Sequence, residues 1–111
     1  MELTQSLRSK KRRPTHPGAI LREDVLPELK LSRAELAKRL DVSHHAISEL
    51  VNEKRSVTPD IALRLARFLG TTPDSWLNMQ QAVDIWDAEH NRSNKYWHIK
   101  PLSNSELLMA R

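Results

Sequence analysis

The sequence predicts an all-α fold of five helices with an extended arm at each end. Between residues 16 and 89, apolar residues recur at intervals of three and four positions in five consecutive stretches, as on one helix face. Helix-start signals precede most of these stretches. Each signal is a serine or threonine that is followed either directly by a proline or, three positions later, by a glutamate. With 111 residues and only two glycines, the chain has the size of one domain and lacks the turn residues of a β fold.

Local capping chemistry predicts where the first two helices begin and end. Pro17 is preset for a first helical turn, and Pro27 is expected to end or kink that helix. Ser32 and Glu35 form a capping box, because each can satisfy a free backbone amide of the other. The second helix is therefore expected to span residues 32–40.

The same signals predict the other three helices. Ser43 is expected to cap a third helix that runs to about Asn52. Two Thr-Pro-Asp sequences, beginning at Thr58 and Thr72, each combine an N-cap, a proline at the first helical position and an acid near the positive helix end. They start the fourth and fifth helices, and the fifth is expected to end at about Asp87.

The two ends of the chain lack this periodicity. Residues 1–15 are polar and basic and are expected to form a flexible arm ahead of the domain at residues 16–89. Residues 90–111 form a C-terminal tail, in which the aromatic and β-branched run at 95–100 predicts a short strand or an extended segment. Residues 105–110 are expected to form a last helical turn.

The formal net charge of +4 is unevenly distributed. Residues 1–16 hold five basic residues against one acidic residue, residues 58–90 hold two against five, and residues 91–111 hold four against one. Basic ends favour an anionic partner, with nucleic acid the first candidate. No apolar run reaches the length of a membrane span and no signal peptide is evident, so no membrane partner and a cytoplasmic location are expected.

Composition argues against an enzyme or a cofactor protein. The absence of cysteine excludes thiol nucleophiles, iron–sulfur clusters and thiolate zinc sites. The five histidines fall in no metal-binding or catalytic motif, and only His44 and His45 are close in sequence. No catalytic residue, metal or cofactor is therefore expected.

The second and third helices are joined only by Asp41 and Val42, which forces them to cross sharply. This geometry is typical of a helix-turn-helix, in which the second helix enters the major groove of DNA. Ala37 falls where the two helices approach most closely and only a small residue fits. The apolar or small positions of the motif are Leu36, Ala37, Leu40, Val42, Ile47 and Leu50.

The outward face of the third helix carries the residues predicted to bind DNA. Its polar side chains can reach base edges, because asparagine pairs with adenine and histidine can donate or accept a hydrogen bond. Basic residues before and after it are placed to contact phosphates. The predicted DNA-binding residues are Arg33, Ser43, His44, His45, Ser48, Asn52, Lys54 and Arg55.

Several motifs resemble the HigA-type antitoxin branch of the XRE (lambda-repressor-like) helix-turn-helix family. They are the His-Pro-Gly start at residues 16–18, the helix-turn-helix at 31–52, the Lys-Arg and Val-Thr-Pro sequences at 54–59, and the Trp-Leu-Asn-Met-Gln segment at 76–80. The resemblance covers about residues 16–87. It implies a five-helix DNA-binding domain that forms a homodimer, binds a palindromic operator and represses its own operon. It also implies a HigB/RelE-like mRNA-cleaving toxin as partner.

The sequence departs from the family pattern at three places. His44 and His45 stand where Arg and Gln are frequent, so a different operator sequence is expected. Asp41 and Glu53 stand where glycine is usual. Asp41 is expected to preserve the turn, because aspartate tolerates left-handed backbone. Glu53 adds a negative charge that is expected to lower DNA affinity somewhat.

The contact surfaces and two alternatives remain as hypotheses. The acidic fifth helix with Trp76 and Trp86 is the first candidate for the dimer contact, although core packing is the favoured role for Trp76. The first helix, at 20–29, offers acidic groups to a basic toxin, while the arm at 1–15 is expected to follow DNA phosphates. The alternatives are a stand-alone repressor without a toxin and an interaction module that has lost DNA binding.

Overall fold

The computed structural model describes residues 12–91 and 95–110, and the regular elements in these residues are all helical. Helix α1 has three consecutive parts, with a π-helical turn between two α-helical ones. The elements are α1 (Pro17–Ile20, Leu21–Val25 and Leu26–Leu29), α2 (Arg33–Leu40), α3 (His44–Val51), α4 (Pro59–Leu69), α5 (Pro73–Glu89), a 3-10 turn (Lys95–His98) and α6 (Asn104–Met109). The all-α prediction and its five-helix domain are confirmed.

The predicted caps are present. The Ser32 hydroxyl accepts from the Glu35 amide while the Glu35 carboxylate accepts from the Ser32 amide, which completes the capping box of α2. The hydroxyls of Ser43, Thr58 and Thr72 each accept a hydrogen bond from the backbone amide three residues later, which caps α3, α4 and α5 without a reciprocal carboxylate. The helix starts are therefore set by hydrogen bonds within four residues, which explains why they could be read from the sequence.

Pro27 does not end α1, which continues to Leu29. The turn immediately before it, Leu21–Val25, is π-helical, and the Leu26 amide donates to the Leu21 carbonyl five residues back. Such a turn accommodates an interruption of the usual hydrogen-bond pattern without stopping the helix. The helix ends at Lys30, whose φ of 56° is left-handed.

The core lies between α1 and α5 and is formed by the predicted helix faces. The fully or almost fully buried side chains include Leu21, Leu36, Ala37, Leu40, Ile47, Leu50, Val51, Leu65, Trp76 and Val83. A side chain at Gly18 would collide with the carbonyl oxygen of Leu50, so α1 and α3 pack backbone to backbone there. Glycine at this position therefore allows the close approach of α1 and α3.

The C-terminal segment differs from the prediction. The expected strand at 95–100 is wrong, because Lys95–His98 form a 3-10 turn and the described residues contain no strand with which this run could pair. Helix α6 follows, capped by Ser103 and Glu106, so the expected last helical turn is confirmed.

The predicted N-terminal arm is described only in its last residues, because residues 1–11 lie outside the described part of the chain. Within residues 12–15, the Arg13 guanidinium forms two hydrogen bonds of 2.8 and 2.9 Å with the Asp87 carboxylate of α5. This part of the arm is therefore held against the domain.

Candidate nucleic-acid interface

Helices α2 and α3 form the predicted helix-turn-helix around a left-handed residue. Asp41 has a φ of 59°, and the amide of Val42 donates to the Ala37 carbonyl. The Ala37 side chain is buried in the core, as expected for the position of closest approach. Aspartate therefore preserves the turn in place of the usual glycine.

The two faces of α3 separate as predicted. Ile47, Leu50 and Val51 are at most 1% exposed. Of the predicted DNA-binding residues on the other side, Ser43, His44, His45 and Asn52 are exposed, and Ser48 is half-buried. Within the described part of the chain, the polar face of α3 is therefore accessible to a ligand.

Arg33 links the start of α2 to the middle of α3. Its Nη1 atom donates to the Ser48 hydroxyl over 3.3 Å, and the residue is half-buried. A guanidinium has five N–H donors, so most of them stay available in this arrangement. Arg33 therefore lies against the polar face of α3, where it can hold Ser48 and an anion together.

Glu49 organises two of the predicted DNA-binding side chains. Its Oε1 atom accepts from Nη2 and Nε of Arg55 over 2.7 and 3.0 Å, and its Oε2 atom lies 3.3 Å from Nε2 of His45. The hydrogen bond from Arg55 is the main reason that the pKa of Glu49 lies below its ordinary value. Two of the five N–H donors of Arg55 are used in this pair, so a phosphate would either bind the remaining donors or replace the carboxylate.

Sequence reasoning gave Glu49 no role. The four-residue spacing from His45 to Glu49 was a signal for that contact. The approach of Arg55 depends on the loop after α3 and had no such signal.

Gln80 fixes the end of the loop that carries Lys54 and Arg55. This buried side chain accepts from the Val57 amide and donates to the Asp84 carboxylate, both over 2.9 Å. Gln80 therefore connects the end of the loop to α5. The exposed Lys54 and Arg55 lie two to three residues before Val57, the residue that Gln80 holds. A glutamine on the buried face between Trp76 and Val83 was the sequence signal for this role, which the prediction did not use.

The charge of Glu53 is compensated inside the molecule. Its carboxylate oxygens lie 3.2 Å from Arg22 and 3.4 Å from Arg13, while Arg22 also donates to the Val51 carbonyl over 2.7 Å. The φ of Glu53 is 62°, the left-handed conformation in which glycine would be free of strain. Its expected effect on DNA affinity is therefore reduced by two neighbouring cations.

The Trp76 indole belongs to the core, as favoured by the sequence. It is 3% exposed, and its Nε1 atom donates to the Thr71 hydroxyl over 2.8 Å. Trp86 is half-buried and stacks on His90 with 3.7 Å between ring centroids. Trp76 is therefore not available for a dimer contact.

Other kinds of site find little support in the described residues. Among residues 12–91 and 95–110, no three side chains of histidine, aspartate or glutamate come together as metal ligands. No helix in these same ranges has both the length and the apolar character that crossing a bilayer requires.

Comparison with known proteins places the chain in a family. The Helix-turn-helix family profile matches residues 21–76. A transcriptional regulator of the helix-turn-helix type from Haemophilus influenzae is 43% identical over 81 residues, which cover 73% of this chain and 76% of that protein. Antitoxin HigA-1 of Vibrio cholerae is 35% identical over 96 residues, which cover 86% of this chain and 90% of the antitoxin.

A solved structure agrees with these relatives. The Pseudomonas aeruginosa antitoxin HigA with the higBA promoter is 36% identical and superposes with a TM-score of 0.72, over 82% of this chain and all of the other. The chain belongs to the XRE-type helix-turn-helix family of DNA-binding proteins and, within it, to the HigA-like antitoxins.

Proposed function

We propose that this protein is the antitoxin of a type II toxin–antitoxin pair, and that it represses its own operon and neutralises a HigB/RelE-like toxin. The observation that carries the DNA-binding half is the polar face of α3, which is open while the opposite face is fully buried. The family supports the toxin half, since the relative from Vibrio cholerae is named an antitoxin.

In the proposed complex, α3 lies in the major groove. His44, His45, Ser48 and Asn52 face base edges, because they lie along the side of α3 that the core leaves free. Arg33, Lys54 and Arg55 contact the flanking phosphates, and Ser43 adds a hydroxyl at the start of the helix. These two groups of residues give sequence specificity and affinity, respectively.

The operator is expected to be an inverted repeat read by a homodimer. Two copies of α3 related by a two-fold axis would lie about 34–36 Å apart, one turn of B-DNA. The Pseudomonas aeruginosa antitoxin HigA, solved with the higBA promoter, supports DNA binding by this chain.

Electrophoretic mobility shifts with the DNA upstream of the gene test the repressor half. The full chain is expected to shift this DNA at concentrations at least about a thousandfold below those needed for random DNA, the lower end of the roughly 10³–10⁷ range of specific binders. Equal affinity for both DNAs would contradict the proposal. It would instead favour an interaction module that has lost specific binding.

Co-purification with the product of the neighbouring gene tests the antitoxin half. A stable complex, together with loss of the neighbour's mRNA cleavage on addition of this chain, is the expected result. The alternative is a stand-alone repressor. The relative from Haemophilus influenzae is consistent with it, because that protein is named only as a transcriptional regulator. Specific DNA binding without a complex would establish that alternative.

A further inference from the structure

Arg13, in the part of the N-terminal arm that the structure describes, joins two distant parts of the domain. Its Nε and Nη2 atoms donate to the two carboxylate oxygens of Asp87 on α5 over 2.8 and 2.9 Å, and its Nη1 atom lies 3.4 Å from the Glu53 carboxylate. A guanidinium that binds one carboxylate at two points is fixed in direction as well as in distance. Asp87 therefore holds Arg13 against Glu53.

Glu53 lies inside the predicted DNA interface, between Asn52 and Lys54. The Lys54 amide donates to the Glu49 carbonyl over 2.8 Å, which keeps this residue at the end of α3. Consecutive Cα atoms are about 3.8 Å apart, well below the screening length of about 10 Å at 0.1 M salt. In the proposed complex, an uncompensated carboxylate at Glu53 would therefore repel the same phosphates that Lys54 attracts.

The compensation of Glu53 depends on Arg13, because its other cation is shared. Arg22 lies 3.2 Å from the Glu53 carboxylate, but it also pairs with Glu23 over 2.9 Å. Without Arg13, Glu53 would have to share Arg22 with Glu23, and Asp87 would lose both of its hydrogen bonds from Arg13. The net charge of this surface would then be more negative by one.

The contact between Arg13 and Asp87 is not expected to hold the fold together. The two side chains are 39% and 48% exposed, and ion pairs at exposed positions contribute little to folding stability. The buried core that supports α3 is formed by the side chains of α1 to α5. An effect of Arg13 on DNA binding would therefore come from its charge and its place rather than from the stability of the domain.

We propose that Arg13 is a positioning residue of the DNA interface, which Asp87 holds against Glu53 so that the arm raises the affinity for DNA without contacting DNA. This role differs from the arm that the sequence predicts, which follows the phosphates. The inference rests on the proposed function, because it requires that the residues on either side of Glu53 bind DNA. A partner that draws Arg13 away from Asp87 would weaken DNA binding, and DNA would oppose that partner to the same extent.

Fluorescence anisotropy with the DNA upstream of the gene tests this role through a double-mutant cycle. In the full chain, Arg13→Ala is expected to raise the dissociation constant about threefold to tenfold, because a dimer loses the contact twice. In a Glu53→Gln background, the same substitution should change the dissociation constant less than about twofold, because no carboxylate remains at position 53 to be neutralised. Glu53→Gln alone should bind this DNA at least as tightly as the wild type does.

Arg12→Ala provides the matched control for this cycle. It removes the same charge from the neighbouring position of the arm, and Arg12 is not an ion-pair partner of Asp87 or Glu53 in the described residues. It should change the dissociation constant less than about twofold in both backgrounds. Melting temperatures followed by circular dichroism verify that every variant is folded under the conditions of the binding measurement.

Three results would overturn the inference and leave the proposed function intact. If Arg13→Ala weakens binding equally in both backgrounds, or if Arg12→Ala weakens it as much as Arg13→Ala does, the arm acts on DNA directly. If Arg13→Ala binds as tightly as the wild type, the contact with Glu53 has no part in DNA binding. A wild type that binds the upstream DNA and random DNA with equal affinity would instead contradict the proposed function, and the inference would fail with it.

Discussion

At the scale of single residues, Gly18 determines how closely α1 approaches α3. We expect Gly18→Ala to lower the free energy of unfolding by about 3 kcal/mol, the upper part of the usual range for overpacking, because the new methyl group meets a backbone carbonyl that cannot rotate away. Urea denaturation measures this change. The same variant should bind operator DNA less tightly, because α3 shifts outward.

Gly70→Ala provides the matched control for this substitution. No atom lies within 4 Å of a side chain at Gly70, but its φ of 72° is strained for alanine. We expect a loss of about 1 kcal/mol from backbone strain alone. A smaller loss at Gly18 than at Gly70 would show that α1 and α3 can separate at little cost.

His16 makes the stability of the domain sensitive to acid. The buried imidazole accepts a hydrogen bond of 2.9 Å from the Gly18 amide at Nδ1, and burial is the main cause that lowers its pKa below 6.5. The unfolded chain therefore binds a proton more readily than the folded one. The contribution of neutral His16 is complete above about pH 6.5 and is lost as the pH falls below it. Melting temperatures between pH 7.5 and 5.5 are expected to decrease toward acid.

The control for this prediction is His16→Asn, which keeps an N-cap acceptor but cannot be protonated. Its melting temperature should change less with pH than that of the wild type over the same range. Parallel pH profiles for the two proteins would assign the acid sensitivity to other groups.

Sequence predicts residue roles well where the partners are near in the chain. The caps at Ser32 and Ser43 and the left-handed Asp41 were predictable because each depends on atoms within five residues. The contacts of Arg55 with Glu49 and of Gln80 with Val57 were not predicted. They depend on the path of the loop after α3, which only the packed structure defines.

At the scale of elements, the end of α1 has a strained cap. Lys30 has a φ of 56° and an exposed side chain, and the amide of Leu31 donates back to the Leu26 carbonyl. We expect Lys30→Gly to raise the free energy of unfolding by about 0.5–1 kcal/mol, because glycine removes the left-handed strain at some cost in chain entropy. Thermal denaturation followed by circular dichroism checks this expectation.

The same substitution inside a helix should act in the opposite direction. Lys38 is exposed on α2, and Lys38→Gly is expected to destabilise the protein by about 1 kcal/mol. If both variants are destabilised alike, the cap of α1 does not carry the strain that its φ indicates.

In the proposed complex, α3 and its C-cap Asn52 contact the bases, so their residues should differ from those of the following loop in their effect on DNA binding. We expect Asn52→Ala and His45→Ala to weaken binding to the upstream DNA by about 1–3 kcal/mol and to relax its specificity. Lys54→Ala should weaken operator and random DNA equally, because a phosphate contact carries no sequence information. Parallel gel shifts on both DNAs test the difference, and equal losses for all three variants would contradict the division.

Periodicity predicted the type of each element in the core, but the prediction of element type was wrong outside the core. Helices α2 to α5 bury one face, so spacing and packing agree in them. The run at 95–100 has residues that favour strands, but a strand also needs a neighbour to pair with, and the described residues provide none. Pro27 does not end α1, because the π-helical turn before it accommodates a proline that would stop a regular helix.

At the scale of the whole molecule, binding to the operator should depend strongly on salt. In the proposed complex, Arg33, Lys54 and Arg55 give a dimer about six phosphate contacts. Each contact would release counterions, so the slope of log K against log salt should be about −5. The affinity is then expected to fall about a thousandfold between 50 and 200 mM salt. Fluorescence anisotropy with labelled operator DNA measures the slope.

The salt dependence can be divided among residues, because each contact contributes separately. Lys54→Ala removes one phosphate contact from each protomer and should make the slope shallower by about 2. Arg67→Ala changes an exposed arginine on α4, away from the predicted interface, and should leave the slope unchanged. Arg55 forms an ion pair with Glu49 in the free protein. If the measured slope is shallower than expected and Arg55→Ala does not change it, this ion pair persists on DNA. Tight binding with no salt dependence would contradict the phosphate contacts altogether.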